Sequence, residues 1–440
     1  MDILIKIAQL FLCFTILVGI HELGHFLMAR AFKIRVEKFY IFFDPWFSLL
    51  KFKRGDTEYG LGWLPLGGYV KIAGMIDESM DKEQMKQPVK PDEFRAKPAW
   101  QRLLVMVAGV MMNVLLAIVI YCAVCYTWGD SYFSNQDAKW GYNFNPTAHE
   151  MGFRDGDRFV SIDGEEIDNV MRVQNDLLIT DGGRRVVVER GGEPVTLDIP
   201  FESLLRMRQE KAYEDLFTLR LPFIVDSVSY TSAVEAGLES GDEVVAIDDL
   251  RDADYPRYRD YLQKHKNDKV LLTVRRDGAL IDSLALPVDA EGRIGVTVTN
   301  PYSLRTQYYT FWESIPAGIH KAGKTISSYW DQLKLIVQPK TKMYEELGGF
   351  VAIGSIFPGS WDWHDFWLKT AFLSIILAVM NLLPIPGLDG GHALFTLWEI
   401  ITRRKPSEKF LEVAQYVGLM IILALLVYAN GNDIYRFFIK

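Results

Sequence analysis

Four apolar runs constrain this chain more than any other feature. They cover Ile3 to Ile20, Leu103 to about Trp128, about Phe366 to Leu383 and about Val413 to Tyr428. An apolar stretch of roughly 18 residues is enough to cross the hydrocarbon core of a bilayer as a helix, and the fourth run sits near that lower limit. Only Lys6 and Gln9 interrupt the outer part of the first run, and a lysine there reaches the interface along its own alkyl stem. A cleaved signal peptide is the alternative. Against it, the helical pattern continues through His21–Phe32 with no small-residue cleavage site. The expectation is a polytopic α-helical membrane protein with four transmembrane helices. Composition agrees, since 49% hydrophobic and 24% charged residues average over apolar spans and soluble parts. A net charge of −8 argues against a nucleic-acid partner held by phosphate contacts. The cysteines Cys13, Cys122 and Cys125 all lie in apolar runs. No disulfide framework is therefore expected in the polar middle, and the CxxC spacing of the last two is read as ordinary helix sequence.

Orientation follows from the basic residues of the short loops. Lys33, Arg35, Lys38, Lys51, Lys53, Arg54, Lys71, Lys82, Lys86, Lys90, Arg95, Lys97 and Arg102 lie between the first two runs. Arg403, Arg404, Lys405 and Lys409 lie between the last two. Both loops are expected in the cytoplasm. Both termini and residues 129–365 then lie outside.

The outer region repeats itself. Ala148, Gly152, Gly156, Asp157, Val160, Ile162 and Asp163 recur 85 positions on, from Ala233 to Asp248. Each copy reads as a short helix, a Gly-Asp turn and an alternating strand. The pattern in Ala233–Asp248 looks like a PDZ domain, a fold that captures extended peptides by strand addition. A pair of plain spacer domains is the alternative. Residues 303–346 place Trp312, Ile315, Ile319, Ile326, Trp330, Leu333 and Ile336 at mixed helical spacing. Such a helix lies on the membrane or packs beneath the repeats. The boundaries expected from these patterns are 1–32 for the first span, 33–100 for a cytoplasmic region and 101–128 for the second span. The repeats occupy 129–215 and 216–300, followed by a membrane-proximal segment at 301–365. The third span covers 366–391, a cytoplasmic loop 392–412, the fourth span 413–430 and a tail 431–440.

Chemistry concentrates at two places. His21-Glu22-Leu23-Gly24-His25 is an HExxH motif at the inner end of the first span. Residues at i and i+4 share a helix face, so both imidazoles can bind one metal, with Glu22 beside it to handle protons. Zinc makes water nucleophilic near neutral pH, and Glu22 can take its proton and pass it to the leaving amine. The motif lies five to eight residues before Arg30 and Lys33, roughly 8–12 Å deep at about 1.5 Å per helical residue. Ionisable residues at such depth usually mark function. A pair of interfacial histidines is the alternative. Two histidines leave a catalytic zinc short of a third protein ligand. The third span ends in Asn381-Leu-Leu-Pro384-Ile-Pro386-Gly-Leu-Asp389-Gly-Gly, at the same expected depth. Its prolines and glycines break the helix, which is tolerated there only where backbone is buried in protein or lines a wet cavity. Asp389 is the natural third ligand, with an interfacial turn carboxylate as the alternative. Asn381 either donates to a substrate carbonyl or caps a helix.

Together, HELGH in the first span, the late N-x-x-P-x-P-x-L-D-G-G and the two outer repeats resemble the site-2 protease family of intramembrane zinc metalloproteases. The likeness is greatest to its bacterial regulator-of-sigma-E type. The resemblance covers nearly the whole chain. It implies Zn2+ held by His21, His25 and Asp389, Glu22 as the catalytic residue, and Asn381, Pro384 and Pro386 as positioning substrate. It also implies a location in the bacterial inner membrane. The implied partners are single-span membrane proteins already trimmed outside, such as anti-sigma factors, and remnant signal peptides. Extracytoplasmic peptides or trimmed C-termini would meet the PDZ-like domains, and lipid would surround the spans. Tyr59–Gly74 alternates like a β-hairpin and resembles the family's membrane-associated β-loop, so Gly67, Gly68 and Tyr69 join the candidate substrate-binding residues. An exposed strand edge there would pair with a substrate helix once it has unwound. The expected fold is thus four transmembrane helices with a membrane-associated β-loop and two α+β PDZ-like domains. Three places depart from the family pattern: Val110 stands for proline in Ala108–Asn113, a proline is also missing from Gly348–Ile353, and the first repeat has Ala148-His-Glu-Met-Gly152 where Ala-x-x-Ala-Gly is commoner.

Overall fold

The computed structural model describes residues 2–64, 67–75, 88–252 and 254–436. Pro65 and Leu66 of the glycine-rich loop, Lys82 and Lys86 among the counted cations, and residues 437–440 of the tail lie outside the described residues. The chain forms two compact units, Met1–Asp130 with Tyr308–Lys440, and Ser131–Gln307.

Among the described residues the first unit has six longer helices, α1 (Asp2–Ala31), α2 (Ala99–Trp128), α3 (Phe311–Val337), α4 (Trp363–Leu382), α5 (Asp389–Thr402) and α6 (Glu408–Ile434), besides a short one at Phe350–Ser355. Four of them, α1, α2, α4 and α6, are long and apolar enough to cross a membrane. Their ends follow local chemistry. Pro98 precedes α2, and Gly129 ends it at φ +73°, a backbone conformation that glycine adopts without strain. The Asp362 carboxylate caps α4 by accepting from the backbone N–H groups of His364 at 2.8 Å and Asp365 at 3.2 Å. Pro384 and Pro386 stop α4 before the expected end of the third span at 391, and the chain re-enters a helix at Asp389 that runs to Thr402, into the stretch 392–412 that reads as a loop in the sequence. Helices α1 and α2 meet closely, since a Cβ at Gly24 would stand 2.5 Å from the Ala108 carbonyl oxygen.

Helix α3 packs along α2. Tyr121 Oη lies 3.4 Å from Thr325 Oγ1, and Gly318 lies against the Cys122 backbone. Its apolar positions are only partly packed. Ile326 and Leu333 join the core shared by α2 and α4, whereas Trp312, Ile319 and Trp330 are exposed.

Between α1 and α2 lies a four-stranded sheet of β1 (Val36–Ile41), β2 (Leu50–Arg54), β3 (Thr57–Leu61) and β4 (Tyr69–Ile72), in the order β2-β3-β1-β4. This corrects the hairpin expected over Tyr59–Gly74. Strands β3 and β4 do not pair with each other; β1 lies between them, parallel to β3 and antiparallel to β4. The alternation reflects pleating, which is the same whichever neighbour a strand has. The true hairpin is β2–β3, turned at Gly55 with φ +63°. Strand β4 is thereby left at a sheet edge.

In the second unit the two repeats have separate cores, one around Phe144, Phe153 and Phe159, the other around Phe223, Tyr258 and Leu272. The shared Gly-Asp turn has a shared purpose. Asp157 accepts from Arg190 at 2.7 and 2.8 Å, and Asp242 accepts from Arg276 at 2.6 and 2.7 Å. Each arginine also donates to a carbonyl at the end of the repeat's short helix, Gly152 or Gly237. A bidentate arginine thus ties turn, helix and strand together in both copies. Burial alone would push the Asp242 carboxyl up. The Arg276 guanidinium and the Glu239 backbone N–H outweigh it and hold the group below its ordinary value. Asp242→Ala is expected to weaken the second repeat by roughly 2–3 kcal/mol. Because the folded value is depressed, the stabilisation is full above the unfolded value of about 3.9 and fades as pH falls through the folded one. Hydrogen exchange along Lys269–Arg276 checks this. Protection should fall in the variant at neutral pH, and the difference should shrink in acid.

Candidate metal centre

HELGH lies in the C-terminal half of α1, and no residue there interrupts the helix. His21 and His25 therefore stand one turn apart, their rings 4.9 Å between centroids and nearly perpendicular. The pair faces α2 at Gly109. A Cβ there would lie 2.4 Å from His25 Nε2 and 2.8 Å from His21 Nε2, so only glycine leaves room for both rings. His25 Nδ1 lies 2.8 Å from the Val105 carbonyl oxygen. A carbonyl only accepts, so Nδ1 carries the proton and Nε2 keeps its lone pair.

The turn between α4 and α5 brings the third group. Gly387 adopts φ +99°, and Asp389 opens α5. Gly390 and Gly391 pack onto the Leu382 and Ile385 carbonyl oxygens, at 2.3 and 2.5 Å from where a Cβ would stand. Asp389 Oδ2 lies 3.1 Å from His21 Nε2 and 3.3 Å from His25 Nε2, and the two imidazole nitrogens are 3.2 Å apart. Four ligands set tetrahedrally at about 2.0–2.1 Å from zinc stand about 3.3–3.4 Å from one another. The three donors, 3.1–3.3 Å apart, come close to that spacing. Asp389 Oδ2 is also buried without a hydrogen-bond donor, as a metal-ligating oxygen should be. Two nitrogen donors and a carboxylate on three sides, with a fourth side open, suit a catalytic zinc.

The open side is a cavity of about 640 Å3, lined among others by Glu22, Gly68, Tyr69, Asn381 and Gln415. Glu22 follows His21 on α1, and its side chain lies under the β-loop. A Cβ at Gly68 would stand 3.2 Å from Glu22 Cγ and 2.7 Å from the Tyr40 carbonyl oxygen. Gly67 lines the same wall. Tyr69 donates to Asp44 Oδ1 at 3.0 Å and stacks on Tyr40 at 5.2 Å, which fixes the start of edge strand β4. Asn381 Nδ2 lies 3.4 Å from His21 Nε2, on the open side. Pro384 and Pro386 are not in the wall. Pro384 is exposed, and Pro386 packs under Gly418 of α6, where a Cβ would collide with the Pro386 carbonyl oxygen. Their placement is that of a turn that sets Asp389.

Sequence reasoning missed three contributors: Gly109, the Val105 carbonyl and Gln415. The first two carry no chemical signal of their own. Gln415 is a buried polar residue in an apolar helix, which was signal enough to find it.

The model of peptidase family M50 matches residues 9–425, nearly the whole chain. The chain belongs to peptidase family M50. Among its relatives, a Clostridium perfringens protein described as a candidate zinc metalloprotease is 30% identical over 427 residues, 96% of each chain. A Vibrio cholerae protein with the same description is 29% identical over 462 residues, 99% of each. The regulator of sigma E protease of Haemophilus influenzae is 27% identical over 460 residues, 99% of this chain and 100% of the relative. Membership of this family and the His21, His25 and Asp389 cluster make the chain a zinc metalloendopeptidase.

Proposed function

We propose that this enzyme cuts peptide bonds within the membrane-spanning segments of single-span proteins already trimmed on the outer side. One observation carries the reading: three donors at tetrahedral spacing, with Glu22 beside them, lie at a helix break among helices long enough to span a bilayer. His21, His25 and Asp389 hold the metal. Zinc bound there supplies Lewis acidity, which makes water nucleophilic near neutral pH and polarises a carbonyl. Glu22 takes the proton from the attacking water and delivers it to the leaving amine. The Asn381 amide donates to the scissile carbonyl oxygen, which gains negative charge during attack.

A helical substrate has its peptide bonds hidden and must unwind before it is cut. Strand β4 is an edge strand of the sheet among the described residues and runs along the cavity wall, where an extended segment recovers hydrogen bonds it lost on unwinding. The sheet itself is suited to a membrane surface. Trp46, at 92% exposure, with Phe47, Leu49, Leu50 and Phe52, forms an exposed apolar edge beside Lys51, Lys53 and Arg54. Apolar groups of this kind enter the interface while the cations stay among headgroups. In this reading the basic loops face the cytoplasm of a bacterial inner membrane, and the termini and repeats lie outside. The substrates are single-span membrane proteins such as anti-sigma factors, with remnant signal peptides as a further class; the name of the Haemophilus influenzae relative, regulator of sigma E protease, supports only the link to sigma-factor control.

The two repeats are read as PDZ domains that either exclude bulky substrates or bind a newly exposed C-terminus. Removing Ser131–Gln307 and rejoining the chain separates the two: selectivity relaxes in the first case, and cleavage weakens in the second. An unchanged cleavage profile counts against both.

Removal of zinc by a chelator should abolish cleavage of a reconstituted single-span substrate, and added zinc should restore it. Mass spectrometry of the products should place the cut inside the apolar segment. A cut only in flanking polar sequence would contradict the intramembrane reading. A scaffold that merely presents the repeats would show no zinc at all.

A further inference from the structure

The two histidines of the centre differ in how their outer nitrogens are held. His25 Nδ1 faces a carbonyl. His21 Nδ1 faces the side-chain amide of Asn113 in α2, 3.3 Å from Nδ2. Asn113 is fully buried, and its Oδ1 has no hydrogen-bond donor. An amide nitrogen opposite Nδ1 requires the His21 proton to sit on Nε2, where a metal ligand needs a lone pair. Half a turn of the amide about its last bond exchanges oxygen and nitrogen and leaves the packing unchanged. Oδ1 then accepts from His21 Nδ1–H, and His21 Nε2 is freed. The amide NH2 moves to a place where no donor faces it. The Asn113 backbone is fixed for this purpose, since Ser374 of α4 donates its hydroxyl to the Asn113 carbonyl at 2.8 Å.

We infer that Asn113 is a positioning residue: its amide oxygen accepts the His21 Nδ1 proton, selects the tautomer that binds metal and aims the ring at Asp389. It does for His21 what the Val105 carbonyl does for His25. Outer partners of this kind are typically worth about 10–100-fold in metal affinity. The inference rests on the reading of His21 as a zinc ligand.

The test is the zinc dissociation constant of the full chain in detergent, by competition with a chromophoric chelator, for wild type, Asn113→Asp and Asn113→Leu. Leucine fills the space and accepts nothing, and should weaken zinc by about 10–100-fold. Aspartate still accepts from Nδ1–H, and should bind zinc at least as tightly as wild type. A purely structural role predicts the reverse order, because a buried carboxylate is the more disruptive change. Leucine binding zinc like wild type, or aspartate as weak as leucine, overturns the inference. If the leucine variant does not fold, aspartate against wild type decides it: retained affinity supports the acceptor role, and lost affinity overturns it. If His21→Ala binds zinc like wild type, the ligand reading has failed, and the inference fails with it. If His21→Ala loses zinc and Asn113→Leu does not, only the inference has failed.

Discussion

Gly109→Ala is expected to empty the metal centre and abolish cleavage. The added methyl group would stand 2.4 Å from His25 Nε2, 2.7 Å from His21 Cε1 and 2.8 Å from His21 Nε2. No carbon approaches ligand atoms so closely, so the rings or the helix must move. The helix has little freedom. Its Val105 carbonyl holds His25, its Ala108 carbonyl presses on Gly24, and Asn113 is tied to Ser374. Displaced rings lose the spacing that three donors need around one ion. The loss should exceed the roughly 100-fold seen for outer partners of metal ligands. Zinc content by atomic emission and cleavage of a single-span substrate check it. Gly323→Ala is the control, because nothing lies within 4 Å of a Cβ at that position and alanine favours a helix. Full zinc and full activity in Gly109→Ala would contradict the account.

Glu22→Gln is expected to separate metal binding from catalysis. The change keeps the size and shape of the side chain beneath Gly68 and leaves His21, His25 and Asp389 in place. Zinc should stay bound. Glutamine cannot take a proton from water, and positioned general acid–base groups typically contribute about 100- to 10,000-fold. Cleavage should fall by that order, with substrate binding little changed.

The chemistry of the centre was legible because its residues are rare in apolar sequence and its spacing is periodic. His21 and His25 fall on one helix face by arithmetic, and Asp389 stands out beside helix-breaking prolines and glycines. The supporting shell was not legible. Gly109 reads as one more small residue in an apolar span, and only the three-dimensional approach of two rings gives it meaning. The Val105 carbonyl has no sequence signature at all. The β-loop shows a different limit. Alternation over Tyr59–Gly74 pointed to β3 and β4 but not to β1 or β2, and pairing depends on neighbours distant in sequence, so β1 came between β3 and β4 unseen. The pair of repeats was visible in its Gly-Asp turns and in the likeness of Val187–Gly192 to Thr273–Gly278, but that Arg190 and Arg276 in those later strands hold the turns emerged only from the structure. Helix α3 failed for a third reason. Its apolar residues serve two surfaces, a packed one and an exposed one, and spacing alone cannot apportion them.

The measurement that tests the central claim most directly is cleavage of a purified single-span substrate by wild type and Glu22→Gln, with zinc determined in both. The account predicts stoichiometric zinc in each and cleavage by wild type alone. A zinc-loaded Glu22→Gln enzyme that cuts at the wild-type rate would contradict the role of Glu22, and a wild type that cuts without any bound zinc would contradict the metal centre itself.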